Sequence, residues 1–141
     1  MANGSKTGQP VQVGEILKPH EQGPISRTTL ALFAGASGDH NPIHIDIDFA
    51  KKAGMTDVFA HGMLSMAYLA QFILKSIPQI RLRVWNVRFV SITEVNSIVQ
   101  CTGHVTELLE RNGESCARLA IEARMKDGAK TLLGEAIVAL A

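Results

Sequence analysis

The strongest pattern in the chain is a run whose apolar residues occupy almost every helical face: His61-Gly62-Met63-Leu64-Ser65-Met66-Ala67-Tyr68-Leu69-Ala70-Gln71-Phe72-Ile73-Leu74-Lys75-Ser76-Ile77. A helix apolar on all sides must be buried nearly all round. Pro78 cannot continue it, so the pattern predicts one central helix over about 62–77, roughly 24 Å long. After Pro78 the period changes to two. Leu82 and Val84, then Val87 and Phe89, alternate in opposite phase, as a bulge or two-sided burial at Trp85-Asn86 would produce. Ala117, Leu119, Ile121, Ala123 and Met125 alternate with Arg118, Glu122, Arg124 and Lys126, the mark of a half-exposed antiparallel strand. Asn112-Gly113 and Asp127-Gly128 separate the last three strands, and both dipeptides suit the positive dihedrals of tight hairpin turns.

Upstream, Val11, Val13 and Ile16 around Gly14 suggest a short entry strand. Ser26 is placed to cap a helix over about 26–35, with Leu30, Phe33 and Ala34 at helical spacing. Pro42 makes the stretch from Gly38 to Ile47 an irregular loop, and a short helix over 48–53 follows, with Asp48 as its cap and Gly54 as its end. This order predicts an α+β fold: a single domain over 11–141, preceded by a tail at 1–10, with an antiparallel sheet wrapped around the long helix.

Composition narrows the partners. The 141 residues suit one core, and with 46% hydrophobic and 19% charged residues the chain has no charge-driven reason to stay unfolded. A formal net charge of +1 offers no broad field for a phosphate backbone, so nucleic acid is not expected as a partner. Cys101 and Cys116 form no CxxC pair and read as small strand or core residues. The polar start lacks the apolar stretch of a secretory signal, and no run approaches the ~18 apolar residues of a membrane span, so a cytoplasmic protein without membrane contact is expected.

The candidate chemistry is concentrated in one loop, where Asp39, His40, Asn41, His44, Asp46 and Asp48 lie close together, followed by His61-Gly62 at the head of the apolar helix. Asp and Asn in such loops also form turns with their own backbone, a role that accounts for Asp46 and Asp48. The spacings match no metal motif, because HExxH and zinc-finger pairings are missing and Pro42 keeps Asp39 and His44 off one helix face. There is no GxSxG elbow for a serine nucleophile, and Ser65 reads as a helix-packing hydroxyl. The arrangement does suit acid–base chemistry on a carbonyl compound. Asp39 and His44, on a loop bent by proline, can reach one water from the same side, while the Gly62 amide lies at the positive end of a helix dipole with no side chain to block an oxygen.

Ala36-Ser37-Gly38-Asp39-His40-Asn41-Pro42-Ile43-His44, followed by Asp46, Phe49-Ala50, His61-Gly62-Met63-Leu64 and Asn86-Val87-Arg88-Phe89, resembles the signature of MaoC-like dehydratases and (R)-specific enoyl-CoA hydratases. The resemblance runs over essentially residues 11–141. It implies a hot-dog fold and a homodimer that binds an acyl thioester, on coenzyme A or on acyl-carrier protein, at the subunit interface. It further implies that Asp39 and His44 are the catalytic pair, that the Gly62 amide polarises the thioester carbonyl, and that no cofactor beyond the thioester substrate is needed. Asn41, His61 and Met63 become substrate-binding candidates, with Asn41 and Pro42 shaping the loop. Phe33, Met63, Met66, Phe72 and Trp85 are candidate linings for the acyl tail, and Lys51, Lys52, Arg83 and Arg88 are available cations. Two further readings stay open: a non-catalytic acyl-binding subunit of a heteromer, and a thioesterase. Hydrolysis on this scaffold commonly uses a carboxylate from the long helix, and residues 62–77 contain no Asp or Glu.

Overall fold

In the computed structural model, residues 10–77, 81–126 and 128–140 are described. The tail expected at 1–10 therefore falls almost wholly outside the described residues, as do Pro78 and Asp127. Five strands, β1 (His20–Gln22), β2 (Leu82–Phe89), β3 (Val99–Arg111), β4 (Glu114–Met125) and β5 (Lys130–Ala139), form one antiparallel sheet in the order β1-β3-β4-β5-β2. The helices are α1 (Arg27–Ser37), α2 (Ile47–Lys52) and α3 (Gly62–Ser76), with a 3-10 turn at Pro42–His44.

Helix α3 packs on β3 and β4. Leu69, Phe72 and Ile73 are wholly buried there, and the Phe72 ring sits where a side chain on Gly103 of β3 would have to go, 3.2 Å from its would-be Cβ. Burial of a side chain of this size contributes about 2–3 kcal/mol, so this seam is a main source of cohesion. The matching inner face of the sheet comes from the period-two pattern: Ala117, Leu119, Ile121 and Ala123 of β4 face Val138, Ala136, Gly134 and Leu132 of β5. Burial of α3 is one-sided, however. Met63 is 54% and Leu74 37% exposed, so the single chain leaves an apolar stripe of the helix uncovered.

Local signals explain most boundaries. Ser26 caps α1 by accepting from the Thr29 N–H, and the helix passes Gly35 to end at Gly38, whose left-handed φ of 78° lets its N–H reach the Ala34 carbonyl. The cap of α2 is Asp46 rather than Asp48: Asp46 Oδ1 accepts from the Asp48 and Phe49 amides, and the helix starts one residue earlier than expected. Asn112 and Gly113 take φ of 50° and 79°, the mirror-image turn that joins two right-twisted strands. Of the two expectations at Trp85-Asn86, the bulge is not there, since the register shift lies between Leu82 and Val84, and two-sided partial burial of the edge strand β2 accounts for the phase change. The expected entry strand is an irregular segment in which only Ile16 bridges His104, while Gly14 at φ 87° and Leu17 bond to the β3 backbone.

Candidate active site

Asp39 follows the end of α1, His44 closes the 3-10 turn, and His61 immediately precedes α3, so three separate segments converge. A ring nitrogen of each histidine and a carboxylate oxygen of Asp39 all lie within 4.8 Å of one another. Asp39 is exposed, whereas His44 and His61 are buried. The loop holds this shape through its own side chains. Asp39 Oδ1 accepts from the Asn41 N–H, and Asn41 Oδ1 accepts from the Ile43 N–H, capping the turn that carries His44. Asn41 is thus committed to shaping the loop.

Backbone carbonyls fix both imidazoles. His44 Nδ1 lies 2.7 Å from the Phe59 carbonyl oxygen, and a carbonyl can only accept, so Nδ1 carries a proton and the neutral ring has its lone pair on Nε2. His61 Nε2–H donates to the Asp39 carbonyl at 3.1 Å, leaving a buried Nδ1 without a partner among the described residues. The two rings stack with centroids 4.0 Å apart, and Phe33 meets His61 edge-on at 4.9 Å. Burial foremost, and the neighbouring His44 next, push the His61 pKa below the ordinary histidine value, against the opposing pull of the Asp39 carbonyl and carboxylate.

The same three residues are the natural place to ask about a metal. Chelation needs lone pairs that converge on one point in both ring planes, and rings inclined by only 29° and stacked face to face send theirs nearly side by side. The trio is better arranged to hold a water or hydroxyl beside the two imidazoles.

Gly62 is the first residue of α3, and the side chain of the preceding His61 does not cap the amides of that first turn. Its missing side chain has a second explanation, because a Cβ at 62 would lie 2.8 Å from Cε1 of Phe89. An open depression of about 340 Å³ lies alongside, bordered by Phe59, Phe89, Val90, Ile92, Thr93 and Leu132. Met63 is exposed beside it. Among the proposed tail linings, Phe72 belongs to the core and Phe33 packs on His61; among the proposed cations, Arg83 is ion-paired with Glu114, while Lys51, Lys52 and Arg88 are exposed.

Three contributors carry no motif of their own. They are the Phe59 carbonyl, Thr93, whose carbonyl accepts from the Ala60 N–H at 2.9 Å, and Ser65, whose hydroxyl meets that of Thr93 at 3.1 Å in the interior. A backbone acceptor has no residue signature, and a pairing across 28 positions leaves no local spacing to find.

The chain is 29% identical to the R-hydratase PhaJ1 of Pseudomonas aeruginosa, with a TM-score of 0.79 over 92% of this chain and 82% of that one. It is 26% identical to an (R)-hydratase from A. caviae involved in PHA biosynthesis, with a TM-score of 0.81 over 95% of this chain and all of the other. In sequence it is 37% identical over 54 residues, 38% of each chain, to an (R)-specific enoyl-CoA hydratase of Rhodospirillum rubrum. The chain's matched segments span 5% and 38% of the length of the curated relatives it matches. The helix-on-sheet architecture is therefore the hot-dog fold. The family description "MaoC like domain" matches residues 9–124, and the chain belongs to that family.

Proposed function

We propose that this site adds water reversibly to a trans-2-enoyl thioester to give the (R)-3-hydroxyacyl thioester. The observation that carries the reading is the convergence of a His44 ring nitrogen and an Asp39 carboxylate oxygen within 4.8 Å, with His44 Nδ1 taken up by the Phe59 carbonyl so that Nε2 is the nitrogen left to act as base. A water held between the two attacks C3 as the pair takes its proton. Charge then develops on the thioester oxygen, which the Gly62 N–H and the positive end of α3 stabilise. The proton taken from water returns to C2 on the same face, so addition is syn, the pair ends as it began, and no cofactor is consumed. The substrate is carried on coenzyme A or on acyl-carrier protein. The protein works as a homodimer, and the uncovered apolar residues Met63, Leu74 and Phe89 support a second subunit or an acyl chain against this face.

The test is loss of the conjugated-enoyl ultraviolet absorbance with trans-2-enoyl-CoA thioesters of graded length, with product chirality and free thiol scored together. Formation of (R)-3-hydroxyacyl-CoA without thiol is expected, and Asp39→Asn or His44→Gln should each lower turnover about 10²-fold or more. Near-wild-type turnover in either folded variant would sink the assignment. Thiol release would instead identify a thioesterase, and no loss on any substrate a non-catalytic acyl-binding subunit.

A further inference from the structure

Residues 59–62 carry everything that orients the proposed chemistry on this side of the site, yet residues 53–61 form no helix or extended strand. What fixes them is a short pairing with the chain after β2. Phe59 bridges Glu94, and the Ala60 N–H donates to the Thr93 carbonyl at 2.9 Å. The peptide unit between Phe59 and Ala60 is planar and trans, so its C=O and N–H point in opposite directions and turn together. Its N–H is held by Thr93 and its C=O by His44 Nδ1. Aiming one end therefore aims the other.

Thr93 is itself anchored. It is 4% exposed, and its hydroxyl meets that of Ser65, a wholly buried residue one turn into α3, at 3.1 Å. Two hydroxyls in an apolar interior are costly unless they bond each other, so this contact ties the strand-exit segment to the helix that Gly62 begins. We infer that Thr93 and Ser65 are positioning residues, which set the tautomer of His44 and the placement of the Gly62 amide through the rigid Phe59–Ala60 peptide. This inference rests on the hydration reading for its kinetic consequence and on the geometry alone for its effect on the imidazole.

Thr93→Val keeps the shape and removes the hydroxyl; Ser65→Ala removes it from the helix side, and Thr93→Ser restores it. The nitrogen-15 spectrum of the His44 ring reports the tautomer without substrate. Wild type and Thr93→Ser should show the Nδ1–H form, whereas Thr93→Val and Ser65→Ala should show a mixture of tautomers. In the enoyl-CoA assay, kcat should fall about tenfold or more in the two variants, with KM changed less than about twofold, and the double variant should be no worse than the poorer single one. Should Thr93→Val fail to fold, Ser65→Ala carries the same test. An unchanged His44 spectrum in a folded variant overturns the inference, as does a purely thermal effect with kcat intact. A shifted tautomer in a protein that hydrates no enoyl thioester would uphold the positioning and reject the hydratase reading.

Discussion

Replacing Gly62 by Ala separates two reasons for that glycine. The added methyl would lie 2.8 Å from Cε1 and 3.0 Å from Cδ1 of Phe89, too close for either atom to stay. The atoms met are the far end of the Phe89 ring, however, which is 51% exposed in the single chain and can yield by a side-chain turn rather than a backbone shift, so the steric cost should stay near the low end for overpacking, about 1 kcal/mol. Ala also restricts the unfolded chain more than Gly, which returns about 0.4–1 kcal/mol. The two nearly cancel, and the melting temperature should move by no more than about 4 °C. Activity should respond quite differently. A preorganised oxyanion donor is worth about 10²–10³ in rate, and the methyl with its displaced ring crowds the amide without deleting it. We expect kcat/KM for the enoyl thioester to fall about 10–100-fold, and Phe89→Ala in the same chain to recover part of the loss. Enoyl absorbance and thermal unfolding on the same preparations make the comparison. A Gly62→Ala protein with wild-type kcat/KM would refute the reasoning, leaving Gly62 as a place for the Phe89 ring and nothing more.

Two further predictions concern stability. His61 and His20 both bind protons less readily in the folded chain than the ordinary histidine value of 6.5, His61 through burial and then His44, His20 through burial and then Lys75. The unfolded chain therefore takes up more protons below that value, and stability should be full above about pH 7 and be lost progressively as pH drops below 6.5. His61→Gln and His20→Gln should each flatten that slope in melting curves; a slope unaltered in both would reject the assignment. Gly134 pairs with Val87 across β5 and β2, and a Cβ there would run into the Asn86 carbonyl and lie 2.8 Å from Val87 Cα. Because backbone must move, Gly134→Ala should cost about 3 kcal/mol by denaturant unfolding, and a loss below about 1 kcal/mol would show that β2 yields easily.

Much of this architecture is written in local pattern. The α3 boundaries follow from Gly62 and the apolar run before Pro78, and the β3–β4 hairpin follows from Asn112-Gly113. Local pattern is ambiguous where two similar residues compete for one role, as Asp46 and Asp48 do for the α2 cap, or where one phase change fits either a bulge or two-sided burial, as in the edge strand β2. Exposure of Met63 and Leu74 was hidden for a related reason: apolar residues announce that a face wants cover, not what supplies it. In the site, Asp39, His44 and His61 were legible as a motif, whereas the stack between the imidazoles and the Thr93–Ser65 contact arise only when distant segments meet.

The acceptor that orients His44 is a main-chain carbonyl, and every amino acid at position 59 would bring the same oxygen. Drift in that side chain leaves the acceptor in place and disturbs only the edge-on ring contact at 5.1 Å with His44. Alanine scanning at 59 would thus report packing and stay blind to the hydrogen bond. Replacing the amide between residues 59 and 60 by an ester would reach it, because that single exchange weakens the carbonyl facing His44 and deletes the donor facing Thr93 together.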